Sequence, residues 1–328
     1  MAEYKTLKGF EIQVLESDPA NPIVGQVFYN STTQTLKGVT AGVGSWASGG
    51  ALNTARAGLG SCGTQTAGLA FGGNNLPGMA NETEAYNGSA WTELNNLNSA
   101  RLAGGSFGTQ TSAIYAAGSS PDEITLNTNV ESWDGTNWTE IAEMNTGRYN
   151  NGSLGASNTS GLVAGGDVDN PTPIKALTET WNGSSWTEVG DLNTAVTNST
   201  GFGIVTAGIL AGGSAPSATA KTESWNGTSW SEVNDLNTAR SQGAGAGIQA
   251  SGLVFSGSPE GDNGALTEAW DGTSFTEVAD LATKRRRGGG AGTSTAALYF
   301  GGQGSPPKFT ATEEWTLPDT NTVSFDVS

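Results

Sequence analysis

Hydrophobic and polar positions alternate over two short stretches near the start of the chain, Phe10–Leu15 and Gln26–Tyr29, separated by the proline-rich turn Asp18-Pro-Ala-Asn-Pro22. Alternation of this length marks short strands. Asn30-Ser-Thr-Thr-Gln34 then joins Gln26–Tyr29 to Thr35–Val39 as a predicted hairpin. After Trp46 the pattern becomes a unit that returns roughly every 45 residues, the period of a propeller or a repeat array.

Each unit divides into four strand-sized pieces. In the first copy a glycine-rich piece, Ala57–Gly63, is followed by a short turn and by Ala67–Gly73, a small apolar run closing on Gly-Gly. The same run recurs at Gly161–Gly166 and Ala207–Gly213. A loop of variable length leads to a third piece carrying Thr-Glu-x-Trp or Tyr, and an Asn-Gly or Asp-Gly turn leads to a fourth that opens on Trp-Thr-Glu. That second half, Thr83–Arg101, returns at Val130–Arg148, Thr178–Val196, Thr222–Arg240 and Thr267–Arg285. Asn-Gly and Asp-Gly supply the positive φ angles of a tight hairpin. Glycine in the first piece permits close approach to a central axis. Four antiparallel strands per unit predict a β-propeller blade.

The ten tryptophans set the register. Trp133, Trp181, Trp225, Trp270 and Trp315 take the third-strand site, with Tyr86 as its sixth member. Trp46, Trp91, Trp138, Trp186 and Trp230 take the fourth-strand site, with Phe275 as its sixth. These read as core aromatics between blades. Six third-strand sites predict an all-β, six-bladed propeller, its last blade completed by the segment around Trp46, which removes the open sheet edges. A seventh, incomplete blade built from residues 26–50 and Asn321–Ser328 is the alternative. The expected organisation is a docking segment at 1–45 and a propeller at 46–328.

Composition narrows the function. The chain has 328 residues, a formal charge of −17, 49 glycines, one cysteine and no histidine. A net anion repels phosphate, which argues against DNA or RNA as partner. No apolar run is long enough to span a bilayer, and the start carries no cleavable signal-like pattern. One cysteine excludes an internal disulfide framework, and Cys62, among small residues, reads as core filler. The sequons at Asn87 and Asn182 read as hairpin turns, not glycosylation sites.

The Gly-Gly doublet, the aromatic in the next strand, the tryptophan about five residues on and the phrase ending in arginine together resemble the kelch repeat over residues 46–315. The third-strand aromatic departs from that pattern, being usually tryptophan where kelch units carry tyrosine. The opening phrases, Ser17-Asp-Pro-Ala-Asn-Pro22 and Gly25 to Lys37, look like those of bacteriophage structural proteins, marine ones especially, where such a phrase often precedes a fibre or appendage module. The resemblance implies a virion component on the particle exterior, assembled in the host cytoplasm, with other virion proteins and a host-surface polysaccharide or receptor as partners.

Catalytic readings find little support. Kelch-like copper oxidases need histidine ligands, and this chain has none. Sialidase-type propellers carry Ser-x-Asp-x-Gly boxes, and the spacing in Ser132-Trp-Asp-Gly is one residue short. Glu84, Glu131, Glu179, Glu223, Glu268 and Glu314 are expected at one repeat position, and Arg56, Arg101, Arg148, Arg240 and Arg285 at another, which Val196 interrupts. Residues present in every unit point to internal pairing. The run Asp167-Val-Asp169-Asn170 has oxygen ligands but lacks the glycine and distal glutamate of a calcium loop. No cofactor or metal is expected.

Variation concentrates between the second and third strands, on the face that also carries the blade-to-blade connections. Eight of the eleven prolines lie in these loops. Stiff, variable loops on a repeating scaffold suit a recognition surface. The expected partner-binding residues are Asn75, Pro77, Pro121, Asp122, Asp169, Pro171, Pro216, Pro259, Glu260, Asp262 and Pro306, together with Lys284, Arg286 and Arg287 of the chain's only basic cluster. Phe10, Phe28 and Tyr29 are expected to dock the N-terminal segment on the particle. The leading expectation is a non-enzymatic virion protein. The alternatives are a bacterial carbohydrate- or protein-binding propeller and a glycan-degrading propeller enzyme.

Overall fold

The computed structural model describes residues 12–75, 78–120, 126–168, 174–258, 264–304 and 307–325. The regular elements among them are strands, without a helix. Within a unit the four predicted pieces pair in chain order. Gly60–Thr64 lies against Ala67–Phe71, that against Thr83–Tyr86, and that against Trp91–Leu94, all antiparallel. The second strand is the most buried, with Leu69, Ala70 and Phe71 fully enclosed, which explains its run of apolar residues without alternation.

Seven four-stranded sheets result, the number of the alternative and not the preferred count of six. The difference comes from the chain ends. Gln13–Leu15, Val27–Asn30, Thr35–Ala41 and Thr320–Phe325 pair into a sheet of their own, the first two strands parallel and the last antiparallel to Thr35–Ala41. A count of third-strand aromatics passes over this sheet, because it has no Trp-Thr-Glu phrase. Ser45–Gly49, which the alternative placed in the seventh sheet, is instead the fourth strand beside Thr312–Thr316.

The chain forms two compact units. One comprises the described parts of Met1–Ser45 and Thr316–Ser328, the other Trp46–Trp315. In the second unit the first strands of six sheets contact one another in cyclic order, with Gly289–Gly292 of the last against Gly60–Thr64 of the first. At one end of these strands the contact becomes a closed circle of backbone hydrogen bonds. The N–H of Ala103 donates to the carbonyl of Gly58, Asn150 to Ala103, Asn198 to Asn150, Gln242 to Asn198, Arg287 to Gln242, and Gly58 to Arg287, at 2.6–2.9 Å. All six residues are left-handed, with φ of 55–65°.

Neighbouring sheets are pinned twice more. The second residue of each doublet (Gly73, Gly118, Gly166, Gly213, Gly257, Gly302) donates its N–H to a carbonyl of the adjacent unit, as Gly73 does to Arg101 at 2.9 Å. Its φ of 92–121° is open only to glycine, whereas the first position, near 60°, also accepts Ala117 and Ser256. The tryptophans supply the apolar part. Phe71 meets Trp138 edge-on at 4.8 Å, Trp91 meets Phe300 at 4.7 Å and Trp46 meets Phe255 at 5.0 Å, each pair spanning two sheets. Fourth-strand indoles bond across the same seams: Trp91 to Thr312, Trp138 to Thr83, Trp230 to Thr178 and Trp46 to Thr267, at 2.9–3.0 Å.

Candidate binding face

The repeated charges are used within the fold. Arg56 pairs with Glu84 at 2.7 Å, Arg101 with Glu131 at 2.6 Å, Arg148 with Glu179 at 3.3 Å, Arg240 with Glu268 at 2.7 Å and Arg285 with Glu313 at 3.0 Å. The sixth glutamate of the set is therefore Glu313, not Glu314, which accepts instead from the Tyr86 hydroxyl. Thr312-Glu313-x-Trp315 keeps the register of Thr83-Glu84-x-Tyr86, so the adjacent acid is one step out of phase. Each glutamate also accepts the N–H of the segment that leads into its own sheet, as Glu84 does from Asn53 at 2.7 Å and Glu313 from Ala282 at 2.7 Å. These side chains are buried. Burial pushes the guanidinium pKa of Arg56, Arg101, Arg148 and Arg240 down, and the paired glutamate opposes it. In the unit where Val196 replaces arginine, Glu223 keeps its bonds from Asn193 and Thr194.

Cys62 is buried, and burial pushes its thiol pKa well up. Among the described residues no three His, Cys, Asp or Glu side chains gather into a metal-sized group. Asp167, part of the run considered for calcium, accepts from the Thr197 hydroxyl at 2.7 Å and from Asn150 at 3.1 Å. Asp169 lies outside the described residues. Among the described residues no helix is long and apolar enough to cross a membrane.

The variable loops and the connections between sheets do share a face. Ala57 bridges Asn74, Leu102 bridges Ser119, Tyr149 bridges Asp167, and Arg286 bridges Gln303. Of the residues expected to bind a partner, Asn75 is half-buried and donates to Glu82 at 3.0 Å, and Pro216 is exposed after a cis peptide bond. Pro77, Pro121, Asp122, Asp169, Pro171, Pro259, Glu260, Asp262 and Pro306 lie outside the described residues, as does Phe10. Phe28 is fully buried in the sheet of the chain ends, and Tyr29 beside it is half-buried.

The basic cluster is divided by the fold. Lys284 is exposed, Arg285 is consumed in its pair with Glu313, and Arg287 turns to the axis. Arg287 lines a pocket of about 470 Å³ at the mouth of the backbone circle, with Gly58, Leu102, Tyr149, Asn150, Gln303 and Lys308 among its walls. With its amide oxygen turned inward, Gln242 accepts from Arg287 Nε at 3.3 Å and Nη2 at 3.1 Å. Burial pushes the pKa of Arg287 down and neighbouring Arg286 adds to the shift. Burial likewise lowers that of Lys308, whose Nζ has no hydrogen-bond partner among the described residues. The sequence reading passed over Tyr149, Asn150, Gln303 and Lys308. The signal was a repeat position whose residue changes from unit to unit and recurs only as Asn150 and Asn198: Gly58, Ala103, Asn150, Asn198, Gln242, Arg287.

Four-stranded antiparallel sheets whose first strands meet in cyclic order define a β-propeller. The solved structure of YjhT, a bacterial protein, has this chain's fold with a TM-score of 0.68, covering 84% of this chain and 99% of that one at 12% identity. No family model and no curated protein matches the sequence.

Proposed function

We propose that this propeller is a non-catalytic component of a bacteriophage particle, a tail or fibre-type appendage or a decoration with kelch-like repeats, displayed on the particle exterior. The observation that carries the non-catalytic part is the use of the recurrent acids and arginines in five internal ion pairs. The chemistry that repeats is structural, and what differs between units collects on one face. The opening phrases Ser17–Pro22 and Gly25–Lys37, which resemble those of phage structural proteins, support the virion part. On this reading residues 1–45 attach the chain to other virion proteins, and the loop face meets a host-surface polysaccharide or receptor. It needs no cofactor, nucleic acid or membrane insertion.

Immunogold labelling of purified virus particles tests the assignment. Regular label at one place on the particle is the expected result, and its position separates tail from head. Label on cells and none on particles would overturn it in favour of a cellular binding propeller, a reading to which the likeness in fold to a bacterial protein is equally open.

A further inference from the structure

We propose that the axial pocket at the mouth of the backbone circle binds a small organic anion, its carboxylate or phosphate group held by Arg287 and Lys308. This rests on the loop face being the binding face. The six residues of the circle direct their side chains from equivalent positions, yet Gly58 has none and Ala103 only a methyl group, while Arg287 stands next to Gly58 in the ring. The missing bulk on one side and the long cation on the other leave the pocket of about 470 Å³, within the size range of small-molecule sites.

Its charge is the second observation. The chain carries −17, yet no carboxylate stands among the pocket's described walls. Arg287 is met by the neutral amide of Gln242, and the buried Nζ of Lys308 is met by no acceptor among the described residues. Both side chains are half-buried, so their charge is partly desolvated without counter-charge, and an anionic ligand supplies what the fold withholds. Gln303 and Tyr149 offer hydrogen bonds for the ligand's remaining polar atoms, Asn150 donates to Asp167 behind the wall, and Leu102 with Met79 gives an apolar wall. The internal pairs show the contrast: Arg56, Arg101, Arg148, Arg240 and Arg285 each have a glutamate partner.

Isothermal titration of the full chain at low salt with D-glucuronate, inorganic phosphate and, as neutral control, D-glucose tests the site. Saturable binding of one or both anions and none of glucose is expected, and which anion binds separates a carboxylate from a phosphate source. Arg287→Gln, which places the side chain of Gln242 at the same backbone position, is expected to weaken binding about ten-fold or more. Lys308→Gln, on a loop, is expected to do likewise and keeps the test open should the first variant not fold. Absence of binding by both anions at millimolar concentration, or wild-type affinity in the folded variants, would overturn the proposal. Protein that labels particles but binds neither anion sinks this site alone, and protein that binds an anion but is missing from particles sinks the virion reading alone.

Discussion

Trp186 is the fourth-strand tryptophan whose buried indole N–H finds no acceptor among the described residues. Its counterparts donate to a threonine hydroxyl at the start of the neighbouring sheet's third strand, where this seam has Val130. Val130→Thr restores the acceptor in nearly the same volume. We expect it to stabilise the protein by about 1 kcal/mol, the net value of one buried hydrogen bond relieved of a desolvated donor. Chemical denaturation of the two proteins measures it, and an unchanged or lower midpoint would refute the account. At this scale the sequence was informative about what recurs and silent about what does not. Both tryptophan positions could be read because they return in unit after unit. The mouth of the circle could not, since six positions holding five residue types look like a loop until their shared backbone conformation is seen. Glu313 was missed for a narrower reason: two acids stand side by side, and register alone separates them.

The clasp between each sheet and the segment leading into it is the smallest element that works as a unit. A third-strand glutamate there accepts backbone N–H groups on one side and a guanidinium on the other. Removing the carboxylate charge from such a pair strands a buried cation, at a cost of about 3–5 kcal/mol. Glu131→Gln is expected to show a loss of this size in thermal or denaturant unfolding. Glu223→Gln should lose much less, because Val196 leaves no guanidinium behind. Equal losses would mean that the backbone bonds, not the ion pair, carry the clasp. The Leu-Asn-x-Ala-Arg phrase disclosed this element in the sequence as a conserved spacing within one chain, but its partner across the sheet lies about 30 residues on, beyond the reach of local pattern.

At the scale of the molecule the decisive strand is Ser45–Gly49, which pairs with Thr312–Thr316 and so completes the last sheet of the ring. Trp46 holds it, with an indole bond to Thr267 at 3.0 Å and ring contacts to Phe255 at 5.0 Å and Trp315 at 5.6 Å. Trp46→Ala is expected to cost about 3 kcal/mol, and to speed amide exchange across 312–316 before it does so in any sheet built from consecutive strands. Exchange there at the wild-type rate would show that closure does not depend on this side chain. The closing strand was legible, since a lone fourth-strand tryptophan at the start needs a sheet to join. The sheet of the chain ends was legible only in part. Its hairpin at 26–39 was marked by alternation, whereas Thr320–Phe325 has neither a turn signal nor a repeated phrase to announce its partner.

The circle joining Gly58, Ala103, Asn150, Asn198, Gln242 and Arg287 has no first and no last member. A gene made of near-identical units invites recombination that drops or duplicates one of them. In an open array such an event merely changes the length. Here a product with one unit more or fewer must close at another radius, where these six peptide groups no longer meet. We expect a chain with one unit deleted to lose this circle of bonds, whereas changes in the loops leave it intact.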